Sequence, residues 1–165
     1  MIDYEDRITV VQGDATSADD IAKIIDKVDV LVHCVSVPLQ HEKPTHLYSQ
    51  TTQAIIDARP HGSAKQLIVM SNTGTQHGRK LPRPANLVYE KMLGDVADDK
   101  EKEEELLQKS SLPRTIIKSP ILTNGDVTDY DLRNFEDYSP SVFHHISRKT
   151  IAKVIVNIAE KHEHL

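Results

Sequence analysis

The chain has 165 residues, of which 38% are hydrophobic, and this suits one domain built around one core. Lysine and arginine total 20 against 25 aspartates and glutamates, a formal charge of −5 with no basic stripe, so a phosphate-rich polymer is not an expected partner. A single cysteine, Cys34, the absence of an apolar signal region at Met1-Ile2-Asp3-Tyr4 and the absence of any run of membrane-spanning length lead us to expect a reducing, cytoplasmic setting with no membrane contact.

In chain order, Arg7 to Gln12 with its core Ile8-Thr9-Val10-Val11 reads as a short strand ending at Gly13-Asp14. Ser17 then caps a helix over 18–27 in which Ile21, Ile24 and Ile25 recur at helical spacing. The stretch from Val28 to Val35 is apolar at nearly every position and rich in β-branched residues. That is the pattern of a parallel strand covered on both faces, so it is expected at the centre of a sheet, with Ser36 to His41 leaving its carboxyl end. A second helix is expected from about Pro44 to Ala58, ended by Pro60-His61-Gly62, and then a strand from Gln66 to Met70 running into Ser71-Asn72-Thr73-Gly74.

A loop through Gly78, Pro82 and Pro84 leads to a helical region from about Asn86 to Lys109. Its charged run, Asp98 to Glu105, reads as a solvated face laced with ion pairs. Thr115 to Lys118 forms a further strand closed by Ser119-Pro120, and Ser141-Val142-Phe143 is a candidate for one more. Ser147 or a neighbour caps a last helix whose stripe is Ile151, Val154, Ile155 and Ile158. Strands and helices alternate, so the fold class is α/β, a parallel sheet with helices on both faces.

Val10-Val11-Gln12-Gly13-Asp14, Asp29-Val30-Leu31-Val32, Lys65 to Ser71, Glu104 to Leu112 and Thr115 to Pro120 fall in the order of landmarks in a known family. With them the chain resembles the atypical short-chain dehydrogenases, and within these the NmrA-like and biliverdin reductase B (flavin reductase) branch. The resemblance implies a Rossmann-type domain over residues 1–165 that holds NADP or NAD and, in most catalytic members, reduces a small molecule. It also implies that Gly13, Asp14, Ala15, Ser36, Ser71 and Pro120 line the cofactor, with Asp14 at the adenine edge. Ser71 and Lys100 are then the catalytic candidates, Ser71 at the substrate and nicotinamide end. Read from the residues alone, Asp14 is equally a turn or capping residue, Ser36 a loop hydroxyl, Ser71 a bond to local backbone and Lys100 a solvated charge.

Three departures from the family stand out. The Tyr-x-x-x-Lys pair is missing, since Leu93 follows four residues after Tyr89, and Ile121 stands where the biliverdin reductase branch has a histidine. No glycine-rich turn follows a strand, although that element holds the cofactor pyrophosphate. Two or three charge-assisted bonds of roughly 1.5 kcal/mol each would be lost with it, about two to three decades of affinity. Weak or absent NAD(P)H binding is therefore expected.

The chain also starts at what would be the family's third strand. Either it belongs to a longer protein, or Arg7 to Gln12 shifts across to pair with Val28 to Val35, or a second subunit pairs at the exposed edge to give a homodimer. The internal shift is the favoured expectation, through an ordinary crossover by the 18–27 helix. The remaining chemistries have weak support. His41, His46, His144, His145, His162 and His164 lack partners at metal-ligand spacing, so no metal is expected, and Ser71 is not in a G-x-S-x-G turn. Two functions stay open: a reductase of a small conjugated acceptor such as a flavin or quinone, and a non-catalytic NmrA-like module that senses nucleotide or acts through protein contact.

Overall fold

The structure is a computed structural model that describes residues 8–26, 28–38, 44–59, 64–75, 85–134, 137 and 144–161. Among the described residues four helices and five short strands follow one another as α1 (Ala18–Ile25), β1 (Val30–His33), α2 (Leu47–Ala58), β2 (Gln66–Asn72), α3 (Ala85–Lys109), β3 (Arg114–Ser119), β4 (Ile121–Thr123), β5 (His145–Ser147) and α4 (Arg148–Lys161). The first three strands form a parallel sheet in the order β1-β2-β3, with Leu31 opposite Leu67 and Ile68 opposite Thr115. Pro120 alone separates β3 from β4, which pairs in parallel with β5 in a second, two-stranded sheet.

The alternation of side chains along β2 organises the core. Leu67 and Val69 face a cluster completed by Ile21 and Ile25 of α1, Ala54, Ile55 and Ala58 of α2, and Leu107 and Leu112 at the end of α3. Ile68 faces the other way, onto Val154 and Ile158 of α4, with Val30, Ile117 and Tyr130 beside them. Helices thus cover both faces of the sheet, as the alternating pattern predicts. Burial of β2 is nearly complete from Gln66 to Val69, which fits a strand paired on both sides.

Two expectations fail at the amino-terminal side. The central strand is β2 and not the 28–35 stretch: among the described residues β1 pairs only with β2, and Val32 is 39% exposed. The internal shift that would have covered β1 is absent. Residues 8–12 form no strand, and Ile8, Val10 and Val11 are 62%, 88% and 55% exposed. A tight turn follows them directly. Asp14 accepts hydrogen bonds from the Thr16 amide and hydroxyl at 2.8 Å each, and its carbonyl accepts from the Ser17 amide at 3.0 Å. This turn leads into α1, and the segment ahead of it joins no ladder. High local strand propensity without a partner does not make a strand. The strand expected at 141–143 and the breaker at 60–62 lie outside the described residues.

Candidate functional site

β1, β2 and β3 run parallel, so the segments that follow them leave one common edge of the sheet. Ser36, Thr73 and Pro120 therefore share the carboxyl edge, where ligands of open α/β sheets bind. Four residues separate α1 from β1, so the helix returns antiparallel to the strand. Its amino end, with Gly13, Asp14 and Ala15, points to the same edge. The expected cofactor residues are in this sense gathered on one side.

What they do there is mostly local. The Asp14 amide donates to Asp20 Oδ2 at 2.9 Å, and a side chain at Gly13 would crowd the same Asp20 carboxylate at 3.2–3.3 Å, so the glycine permits that approach. Bonds from the Thr16 backbone and hydroxyl hold the Asp14 carboxyl below its ordinary pKa. Ser36 is exposed on the loop after β1. Pro120 lies in the wall of a cleft of about 900 Å³ with Thr73 and Lys118 at the carboxyl ends of β2 and β3, while Ile117, Tyr130 and Ile158 supply an apolar side. A closed gap of about 10 Å³ beside Ile25, Leu31 and Leu112 holds at most one water and belongs to the core.

The amino ends of α1 and α2, which could receive a phosphate, are already served by acids. α1 carries Asp19 and Asp20 in its first turn, with Ser17 Oγ accepting from the Asp20 amide. At α2 the Tyr48 amide donates to Asp99 Oδ2 at 2.8 Å, and the Thr45 amide donates to Asp95 Oδ2 at 3.3 Å. Carboxylates there occupy the donors and the positive end of the dipole that a pyrophosphate would need.

Beneath the carboxyl edge lies the feature that pattern reading missed. The run Asp98 to Glu105 is a solvated face only in part: Asp98, Lys102 and Glu105 are exposed, but Asp99, Lys100, Glu103 and Glu104 are 1%, 7%, 0% and 1% exposed. Spaced one, four and five residues apart, they form one helical face directed at the sheet and α2. Glu104 accepts from Ser71 Oγ at 2.7 Å and Thr75 Oγ1 at 3.1 Å, and pairs with Lys118 Nζ at 2.8 Å. Lys118 also donates to Thr75 Oγ1 at 3.1 Å.

Lys100 donates to the Met70 carbonyl at 2.8 Å, lies 3.4 Å from Glu103 Oε2, and sits 4.0 Å from the centre of the Tyr48 ring. Desolvation pulls the Lys100 ammonium below the usual lysine pKa, against the opposing pull of Glu103. Thr52 donates to Glu103 Oε1 at 3.2 Å. His33 Nδ1 stands 3.0 Å from the same oxygen, off the line of a hydrogen bond. Tyr48, whose phenol burial pushes above its ordinary pKa, accepts from the Val37 amide at 3.2 Å and so ties down the loop that carries Ser36.

Two of the expected site residues, Ser71 and Lys100, are thus brought together on β2 and α3, inside a buried network that clamps all three segments of the edge. Neither faces the cleft. The signal was present in the sequence: charges at 99, 100, 103 and 104 continue the apolar positions Val96, Ala97 and Leu107 along one face. A pattern that scores charge as exposed cannot see it. Cys34 follows β1 as an exposed residue, with its thiol raised by partial burial. Among the described residues no three histidine, cysteine or acidic side chains converge on a metal position, and no helix is long and apolar enough to cross a membrane.

A parallel sheet flanked by helices, with its cleft at the carboxyl edge, defines a Rossmann-type nucleotide-binding fold. The chain belongs to the NAD(P)H-binding family, whose sequence profile matches residues 2–162. It is similar in structure to ChuY from Escherichia coli CFT073, at TM-score 0.69 and 18% identity over 94% of this chain and 71% of that one. A second similar structure is ChuY of E. coli O157:H7, described as an anaerobillin reductase, at 0.65 and 16% over 89% and 66%. A third is a short-chain dehydrogenase/reductase of Veillonella parvula in complex with NADP, at 0.70 and 17% over 96% and 67%. At these identities the likeness is one of fold. The chain spans about two thirds of the length of these proteins, and no curated protein matches it.

Proposed function

We propose that the chain is the nicotinamide-nucleotide-binding part of a reductase acting on a small conjugated acceptor such as a flavin or quinone. The observation that carries this reading is the cleft alongside β3, bordered at the carboxyl ends of β2 and β3 by Thr73, Lys118 and Pro120, whose volume of about 900 Å³ is in the range of small-molecule sites. A bound nicotinamide would supply the hydride. Thr73 and Pro120 would border its reactive end, Ser36 the middle of the cofactor, and Gly13, Asp14 and Ala15 the adenine side. Ser71 and Lys100 serve here by holding the β2 terminus in place, through Glu104 and the Met70 carbonyl.

The residues present fit the two ends of NADP or NAD better than its pyrophosphate, because the amino ends of α1 and α2 are occupied by acids. Binding by the chain as given is therefore weak. A single domain over residues 1–165 in the cytoplasm, without nucleic-acid or membrane partners, completes the reading.

A second reading has its own support. Both candidate catalytic side chains are buried in an ion network, which suits a non-catalytic NmrA-like module that senses nucleotide or acts through protein contact. Oxidation of NADPH by menadione or FMN, followed at 340 nm with the chain at high concentration, separates the two. The reductase reading expects slow turnover that saturates only at millimolar NADPH. A nucleotide-dependent rise in melting temperature with no turnover would overturn it in favour of the sensing module.

A further inference from the structure

The unpaired edge of β1 and the unpaired segment ahead of α1 are complementary. Natural edge strands carry lysine, glutamate, proline or a bulge that discourages pairing. Along β1 and its continuation the residues are Val30, Leu31, Val32, His33, Cys34 and Val35, without one of these, and Val32 is 39% exposed. In the same molecule Ile8-Thr9-Val10-Val11-Gln12 has the composition of a strand, its aliphatic side chains are 55–88% exposed, and it joins no ladder.

We propose that a second copy of this chain covers the edge, residues 8–12 of each copy adding as a strand beside β1 of the other. The exchange is reciprocal, so it closes as a symmetric pair and does not propagate into a filament. In the register that sets Val10 beside Val32, each added strand puts Ile8 and Val10 on the face of Val32 and Val11 on the opposite face, and satisfies the outer amides and carbonyls of β1. The proposal does not depend on the reductase reading, since it uses no residue of the cleft.

Sedimentation of the full chain across a hundredfold range of concentration, paired with amide exchange, tests it. The expected result is a monomer–dimer equilibrium in which residues 8–12 and 30–34 become protected together as the dimer fills. Val10→Lys alters a side chain that is 88% exposed and leaves the monomer's melting curve unchanged. It should nevertheless weaken the dimer about tenfold or more, because an ammonium group is then forced into the new ladder. Val32→Lys should do the same from the receiving side. A monomer at every concentration would overturn the proposal, leaving the edge bare or open to a different polypeptide. So would a dimer that withstands both lysines, or one that protects 30–34 while 8–12 exchanges freely, which would mean that β1 pairs with β1.

Discussion

Replacing Glu104 by leucine tests whether the buried network holds the fold together. The substitution leaves the Lys118 ammonium, 11% exposed, without its 2.8 Å partner, and it removes the acceptor of the Ser71 and Thr75 hydroxyls. Breaking a largely buried ion pair from one side costs about 3–5 kcal/mol, since the remaining charge loses its closest counter-charge. Against a total stability of roughly 5–15 kcal/mol the loss is large. For a domain of this size it corresponds to a fall in Tm of about 6–20 °C, at 2–4 °C per kcal/mol. Urea unfolding followed by circular dichroism gives the free energy, and a thermal melt gives the shift. The decisive companion is Glu104→Leu with Lys118→Met, which removes both charges in similar volume and should recover most of the loss. If the single variant costs less than about 1 kcal/mol, or the double variant is as unstable as the two single losses added, the pair is not the closed unit described here.

Three further outcomes are expected. Calorimetric titration of the chain with NADPH should give a dissociation constant near the millimolar range, two to three decades above a micromolar site; a low-micromolar value would mean that the pyrophosphate finds donors other than the occupied helix ends. Tyr48→Phe removes the acceptor of the Val37 amide, so that amide should exchange faster and stability should fall by about 1 kcal/mol; an unchanged exchange rate at Val37 would show that the loop is held by something else. The depressed Asp14 pKa contributes stability above the ordinary carboxylate range that is lost as pH falls through the folded value. Wild type should therefore lose more Tm than Asp14→Asn between pH 4 and about pH 2, and parallel curves would refute the sign.

Much of the fold was legible because its signals are local. Ser17 marks the start of α1, the Leu67-Ile68-Val69 core marks β2, and the Ile151, Val154 and Ile158 stripe marks α4, each within a residue or two of the observed bounds. The position of β1 was not legible, since an apolar strand reports how well its faces are covered and says nothing of what pairs with its edges. Val32 is the residue where that distinction shows. Residues 8–12 failed for the complementary reason: strand propensity was present and the partner was not. At the site, the gathering of Asp14, Ser36 and Pro120 on one edge followed from topology. The burial of Lys100 and Glu104 did not, because it depends on contacts with Met70 and Lys118, residues 30 and 14 positions away, that no local pattern encodes.

The charged face of α3 has a consequence for how the helix is seated. Apolar contact is non-directional, so a purely aliphatic seam lets a 25-residue helix slide along its neighbours at modest cost. Here the seam is toothed. A slip of one turn, about 5.4 Å, would move Lys100 away from the Met70 carbonyl, Glu104 away from Lys118 and Asp99 away from the amide of Tyr48, leaving every one of these charges buried without its partner. The helix is thereby indexed to a single height against all three strands, and the levels at which the segments carrying Ser36, Thr73 and Pro120 leave the sheet are set by that index.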